Sequence, residues 1–289
     1  MKPLRGAALM VIATAFVAAS LTMAKMLGVS GLSPFQATWG RFAFGLLALV
    51  SVAFFVRPVW SKPAYGKHAV RIFSGWSGVT MMFAAAIFIP LSDTTAISFT
   101  NPVFAMLLAI PLLGEKIGRV RWSTAFVALV GALLLIRPGS STFQPAALLA
   151  LGAAVLFGIE VIVLKMLSGR ESTFQIVFLA NVAGVILSSI AVIAFWASPT
   201  ATQWMLLAGT GFAMVTAQGF FTTALKQGDA SFILPFSYAT LLWATLYDLI
   251  LFNVIPSPLS ILGGLLIVVS GVVLALREGG AERRRAGNE

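Results

Sequence analysis

A chain of 289 residues that is 59% hydrophobic and 10% charged, with a mean hydropathy of +0.99, has too little polar surface to cover a water-soluble globule. The formal charge of +10 invites an anionic partner, but the 19 lysines and arginines are scattered over many joints instead of forming one patch, which argues against nucleic acid. With no cysteine, disulfides, thiolate chemistry and zinc–thiolate centres are excluded together.

In chain order, ten apolar stretches follow one another at about 6–27, 33–55, 67–89, 93–113, 119–136, 144–167, 174–196, 202–225, 230–251 and 257–276. A helix rising about 1.5 Å per residue needs roughly 20 such residues to cross the hydrocarbon core. The chain therefore reads as an all-α integral membrane protein with ten transmembrane helices. Lys2 and Arg5 ahead of the first stretch imitate a signal peptide, but the same segment recurs later, so it is read as a spanning helix. Sixteen of the 19 cations fall in the N-terminal segment, in every second joint and in the C-terminal tail. The opposite side has only Lys25 and Arg137, and Arg41 lies inside a span. The positive-inside rule then puts both termini in the cytoplasm, as an even number of spans requires.

The chain also repeats itself. Ala7, Leu9, Lys25, Met26 and Leu27 recur 140 positions on as Ala147, Leu149, Lys165, Met166 and Leu167. Gly75, Val79, Thr80 and Asp93 recur 136 positions on as Gly211, Val215, Thr216 and Asp229, and Gly131, Leu134 and Arg137 recur as Gly271, Leu274 and Arg277. Residues 1–140 and 141–277 thus form two five-helix repeats, followed by a basic cytoplasmic tail at 278–289. With an odd number of crossings per repeat, the second enters the membrane from the opposite side, which gives the inverted repeat on which secondary transporters are built.

Two five-helix halves, Arg41 early in the second span, and the run from Asn101-Pro102 to Gly114-Glu115 resemble the EamA-type transporters of the drug/metabolite transporter superfamily. The resemblance implies a secondary active transporter of the bacterial inner membrane. Related members export amino acids and other metabolites, and some import vitamins such as riboflavin. The second half has Phe252-Asn253 where the Gly-Glu pair would stand, so whatever Glu115 does is not duplicated.

Function is expected where polar groups sit inside spans, because a charge at mid-bilayer costs at least about 2.5–3.5 kcal/mol. Arg41 and Asn181, 140 positions apart, fall on either side of the midplane, as an inverted repeat predicts for one central site. Arg41 either meets substrate or a coupling acid, or bonds backbone carbonyls to hold the fold. Thr80, Asn101 and Gln218 add neutral hydrogen-bonding groups, and Phe99 and Tyr238 are the stacking candidates. Glu160 is the candidate for proton coupling, or else a structural partner of a neighbouring helix. This sparse, mostly neutral set suits a heteroaromatic or amphipathic solute. Pro102 and Pro235 are expected to interrupt their helices and free carbonyls.

Other polar residues read as structural. Asp93 and Asp229 begin helices and are expected to cap them, Asp248 to be solvated or capping, and Lys25 and Lys165 to reach opposite interfaces. Trp39, Trp60, Trp122 and Trp204 fit an aromatic belt. Small residues at Thr124, Ala128 and Ala132 and at Gly263, Ser270 and Gly271 allow close packing, either within the chain or in a homodimer. Among rival classes, Gly75-Trp76-Ser77-Gly78 resembles the GxSG of intramembrane serine proteases, but the single histidine, His68, is nine residues earlier, about 13 Å along a helix. No HExxH, Walker A or GxGxxG run appears, so neither enzyme activity nor a metal or cofactor is expected. The expected partners are a small-molecule substrate and the lipid bilayer; a membrane assembly protein that transports nothing is the remaining alternative.

Overall fold

In hydrocarbon every backbone N–H and C=O must find its partner within its own segment, and among the described residues this chain does so with helices and no strands. The computed structural model describes residues 2–56, 60–114, 117–137, 143–168, 170–227 and 233–286. Its helices are α1 (Lys2–Val29), α2 (Pro34–Val56), α3 (Tyr65–Phe88), α4 (Leu91–Ser98), α5 (Asn101–Leu113), α6 (Arg119–Ile136), α7 (Ala146–Ser168), α8 (Thr173–Val192), α9 (Ala201–Leu225), α10 (Ala239–Phe252) and α11 (Pro258–Ala286). Short 3-10 turns at Ile193–Phe195 and Leu234–Tyr238 complete the order. Nine segments among the described residues are long and apolar enough to cross a membrane, and Pro258–Leu274 supplies a shorter apolar tenth.

The fourth span is two helices, α4 and α5, and the reason is local. Pro102 has no N–H to give to the carbonyl of Ser98, and the Asn101 amide takes that carbonyl instead, at 3.0 Å. The Phe99 N–H is shared between Thr95 and Ala96, and Thr100 turns back to Ile97 at 3.0 Å. The proline does not leave its carbonyl free, as the sequence suggested; the neighbouring asparagine fills it. In the ninth span the corresponding break is the 3-10 turn Leu234–Tyr238, with Pro235 in its first positions.

Packing between the halves comes in matched pairs. α1 lies against α9 as α3 lies against α7; α1 also packs on α10, as α7 packs on α4 and α5; α2 meets α8, and α6 meets α11. At α6 and α11 the backbones touch through Gly131 and Gly263, where a Cβ on either would stand 2.7 Å from the other's carbonyl oxygen. Ala128, Ala132 and Ile267 are buried beside them. The small-residue stripes are thus occupied within the chain, and a Cβ at Gly271 would collide with the Tyr238 hydroxyl.

The α2–α8 pair is fastened by two similar clamps. Gln36, at the start of α2, donates to the Ala197 carbonyl at 2.6 Å and accepts from the Ala197 N–H at 3.1 Å. Gln175, at the start of α8, donates to the Ser61 carbonyl at 3.0 Å and accepts from the Ser61 N–H at 2.7 Å. Both glutamines are fully buried, and each side chain satisfies a donor and an acceptor of a joint in the other half.

Lys25, Asp248 and Asp93, the charged residues expected at helix ends and interfaces, are tied into the interior instead. Lys25 is not at an interface: it is buried, 3.5 Å from Asp248, 3.1 Å from the Ile89 carbonyl, and over the ring of Phe252. Asp248 is not solvated: it is wholly buried and accepts from the N–H and hydroxyl of Ser92 at 2.9 and 3.0 Å, so it caps α4 from α10. A carboxylate on one helix has therefore taken the capping role expected of Asp93, which instead accepts from Ser260 of α11 at 3.1 Å. Lys165 is exposed in the last turn of α7. Asp229 and Glu115 lie outside the described residues. Trp39 has protein partners as well: its indole donates to Ser189 at 3.1 Å and packs edge-on with Trp196 and Trp204.

Candidate functional site

A cavity of about 320 Å³ opens between the helices of both halves. Six of the eight residues singled out from sequence line it: Arg41 from α2, Phe99 between α4 and α5, Asn101 from α5, Glu160 from α7, Asn181 from α8 and Gln218 from α9. The two that lie outside its wall have other contacts. The Thr80 hydroxyl is buried 3.1 Å from that of Thr38 and 2.9 Å from the Trp76 carbonyl, tying α3 to α2. Tyr238 stands edge-on to Phe99 with ring centroids 4.9 Å apart, and supports that ring from behind.

Sequence reasoning missed Arg71, which was counted among the cytoplasmic cations. It sits six residues into α3, is 7% exposed, and its guanidinium lies 3.1 Å from the Glu160 carboxylate. It also donates to the Ile176 carbonyl at 3.3 Å, and its Nε is buried with no partner among the described residues. The room for this pair comes from Gly75, one helical turn beyond Arg71. A Cβ there would lie 3.0 Å from the Glu160 carboxyl carbon, so any larger residue displaces the acid. That spacing, Arg71 to Gly75 on one helix face with a lone span carboxylate elsewhere, was the available signal. Trp76 was missed too: read only as part of a protease-like tetrapeptide, it lines the cavity and donates to Ser188 at 3.0 Å.

Arg41 differs from Arg71. Among the described residues it has no hydrogen bond or ion pair, and its guanidinium carbon sits 4.8 Å from the ring centroid of Phe42. Asn181 has committed its amide nitrogen to the Val177 carbonyl at 2.9 Å, as Asn101 has to Ser98. Apart from the hydroxyl residues Ser20, Thr95, Ser98 and Thr240, the rest of the wall is apolar and aromatic, with Phe42, Trp76, Phe83, Phe99 and Phe157 prominent. A concave, mostly apolar chamber with a few polar groups aimed inward is the usual form of a small-molecule site.

A second polar cluster ties the α2–α3 joint to the α7–α8 joint. Glu171 accepts from the Ala64 N–H at 3.0 Å, from His68 at 2.8 Å and from Gln175 at 2.7 Å. Burial works to raise the Glu171 carboxyl, but these donors outweigh it and hold the group below the usual carboxylate range. His68 spends Nε2 on Glu171, and among the described residues it makes no hydrogen bond to Ser77, the contact that a protease reading needs.

With this geometry in place, the comparisons are specific. The profile of the EamA-like transporter family matches residues 4–137 and again residues 144–277. The chain is 29% identical over 222 residues to a riboflavin transporter of Vibrio cholerae, covering 76% of this chain and 74% of that one. It is 24% identical over 257 residues to an S-adenosylmethionine uptake transporter of Rickettsia prowazekii, covering 89% and 87%. It is 29% identical over 195 residues to the pseudopaline exporter CntI of Pseudomonas aeruginosa, covering 67% and 69%. One solved crystal structure shares the fold, with a TM-score of 0.63 at 21% identity over 93% of this chain and 98% of its own.

Proposed function

This chain belongs to the EamA-like transporter family, and from that premise we propose that it is a secondary active transporter that carries a small organic metabolite across the bacterial inner membrane by alternating access. The observation that carries this reading is one cavity to which both halves contribute polar groups, Arg41, Arg71 and Asn101 from one and Glu160, Asn181 and Gln218 from the other. We read residues 1–140 and 141–277 as inverted repeats with both termini cytoplasmic. The exchanged helix pairings and the Gln36–Ala197 and Gln175–Ser61 clamps, which lie at opposite ends of antiparallel α2 and α8, support that reading.

In this mechanism Arg41, Asn101, Asn181 and Gln218 meet the solute, and the aromatic walls receive the flat part of a heteroaromatic or amphipathic body. The two clamp sets are the contacts that part in turn as the halves rock. Glu160 couples the cycle to protons: protonation removes its attraction for Arg71 and changes the charge of the chamber. The relatives named for riboflavin, S-adenosylmethionine and pseudopaline differ in cargo and direction, so the chamber's own chemistry has to name the solute.

The test is flux in proteoliposomes loaded with a small-molecule cell extract, read by mass spectrometry under an imposed proton gradient. The protein should move a restricted set of solutes. Ala180→Trp, which fills the chamber from α8, should stop that movement with the melting temperature retained. Flux that survives a filled chamber would overturn the assignment.

A further inference from the structure

We propose that the carried solute is an organic anion, a carboxylate on a flat apolar body, whose charge is received by Arg41. The inference rests on reading the cavity as the transport site, and it narrows that reading to a substrate class.

The chamber's charges do not balance. Two guanidiniums, Arg41 and Arg71, face one carboxylate, Glu160, and the 3.1 Å contact joins that carboxylate to Arg71. A guanidinium carries five N–H donors and stays charged in proteins, so Arg41 presents a full cation with its donors unfilled. The other polar groups do not neutralise it, because Asn101 and Asn181 are neutral and their amide nitrogens already serve backbone carbonyls. Two further groups of wall residues, Arg71 Nε and the Thr95 hydroxyl, are buried with no hydrogen-bond partner among the described residues.

A neutral solute leaves this chamber with one uncompensated positive charge, and a cation adds a second. A monoanion brings the loaded chamber to neutrality and fills donors that are otherwise empty, with the fork of Arg41 matched to the two oxygens of a carboxylate. With Glu160 ionised, neutrality of the loaded state also lowers the cost of closing the chamber off from water, because an uncompensated charge is expensive in a low-dielectric interior. The aromatic walls then set the remainder of the solute: Phe42, Trp76, Phe99 and Phe157 accept a planar apolar body.

The test uses the full chain in detergent and three matched probe pairs: benzoate and benzamide, nicotinate and nicotinamide, indole-3-acetate and indole-3-acetamide. Thermal stabilisation is titrated for each up to about 10 mM. At least one carboxylate should bind wild type more tightly than its amide by about tenfold or more. Arg41→Gln should erase that preference, and Arg41→Lys should restore part of it. Equal binding of acid and amide, no stabilisation by any acid, or a preference that survives Arg41→Gln overturns the anion assignment. If Arg41→Gln does not fold, the wild-type ratio of acid to amide decides. Failure of the transport reading looks different: acids bind as expected, but flux is indifferent to Ala180→Trp.

Discussion

Lys25 and Lys165 occupy the same place in α1 and α7, 140 positions apart, yet Lys25 is buried against Asp248, whereas Lys165 is exposed at a helix end. The neighbouring helices α2 and α8 show both behaviours. Gln36 and Gln175 make similar clamps, whereas the in-register pair Arg41 and Asn181 puts a cation in one half and a neutral amide in the other. Duplication supplies the frame, the pairings α1 with α9, α3 with α7, and α2 with α8. The differences laid over that frame give the chamber its unequal charge, with Arg41 and Arg71 from one half and Glu160 from the other. A carrier with two identical halves would have no reason to receive an anion on one side of its midplane.

The largest test of this asymmetry is the central pair. Arg41→Ala is expected to lower flux by about 30-fold or more, the effect of removing a charged partner worth at least about 2 kcal/mol, with insertion and melting temperature preserved. Asn181→Ala should cost about tenfold or less, as for a neutral hydrogen bond. Equal losses in a proteoliposome assay would make the pair a symmetric structural feature.

Next come the lysines. Lys25→Met leaves Asp248 buried without its cation and should destabilise by about 3–5 kcal/mol, while Lys25→Met with Asp248→Leu should recover most of it. Lys165→Met should stay within about 0.5 kcal/mol. Unfolding in mixed micelles followed by intrinsic tryptophan fluorescence reads all three.

The clamps should behave alike where the lysines differ. Gln36→Ala and Gln175→Ala each orphan a buried N–H and carbonyl and should each cost about 1–3 kcal/mol. Hydrogen exchange should show loosening at opposite ends of the α2–α8 pair. Loosening at one shared end would break the mirrored reading of the two.

The smallest effect belongs to Glu171. Its carboxyl lies below the usual range in the folded chain, so the stability it contributes is present above its unfolded pKa and is lost as pH falls through the folded one. Melting temperature should therefore drop on acidification below the ordinary carboxylate range, and Glu171→Gln should flatten that limb.

Most of the fold was legible in the sequence because lipid imposes one rule, a stretch of about 20 apolar residues per crossing, and because Gly131, Leu134 and Arg137 recur as a set. Arg41, Glu160 and Asn181 were legible as site residues because polarity inside a span is rare. Arg71 was not, since six residues from a helix start it reads as a joint cation until α7 is seen to bring Glu160 beside it. Lys25 was misread, and of the two roles open to Asp248 only capping holds, for the same reason: 223 positions separate them, and hydropathy says nothing about which helices will be neighbours. Nor did sequence show that Asn101 repairs the carbonyl that Pro102 leaves open.

The claim that one chamber serves both faces of the membrane has a direct test, because the chain contains no cysteine. Val17→Cys in α1 and Ala180→Cys in α8 each place a single thiol in the chamber wall. Oriented vesicles would be treated from one side or the other with a membrane-impermeant thiol reagent. Alternating access predicts that both positions label from both sides. Labelling confined to the same single side for both positions would contradict it.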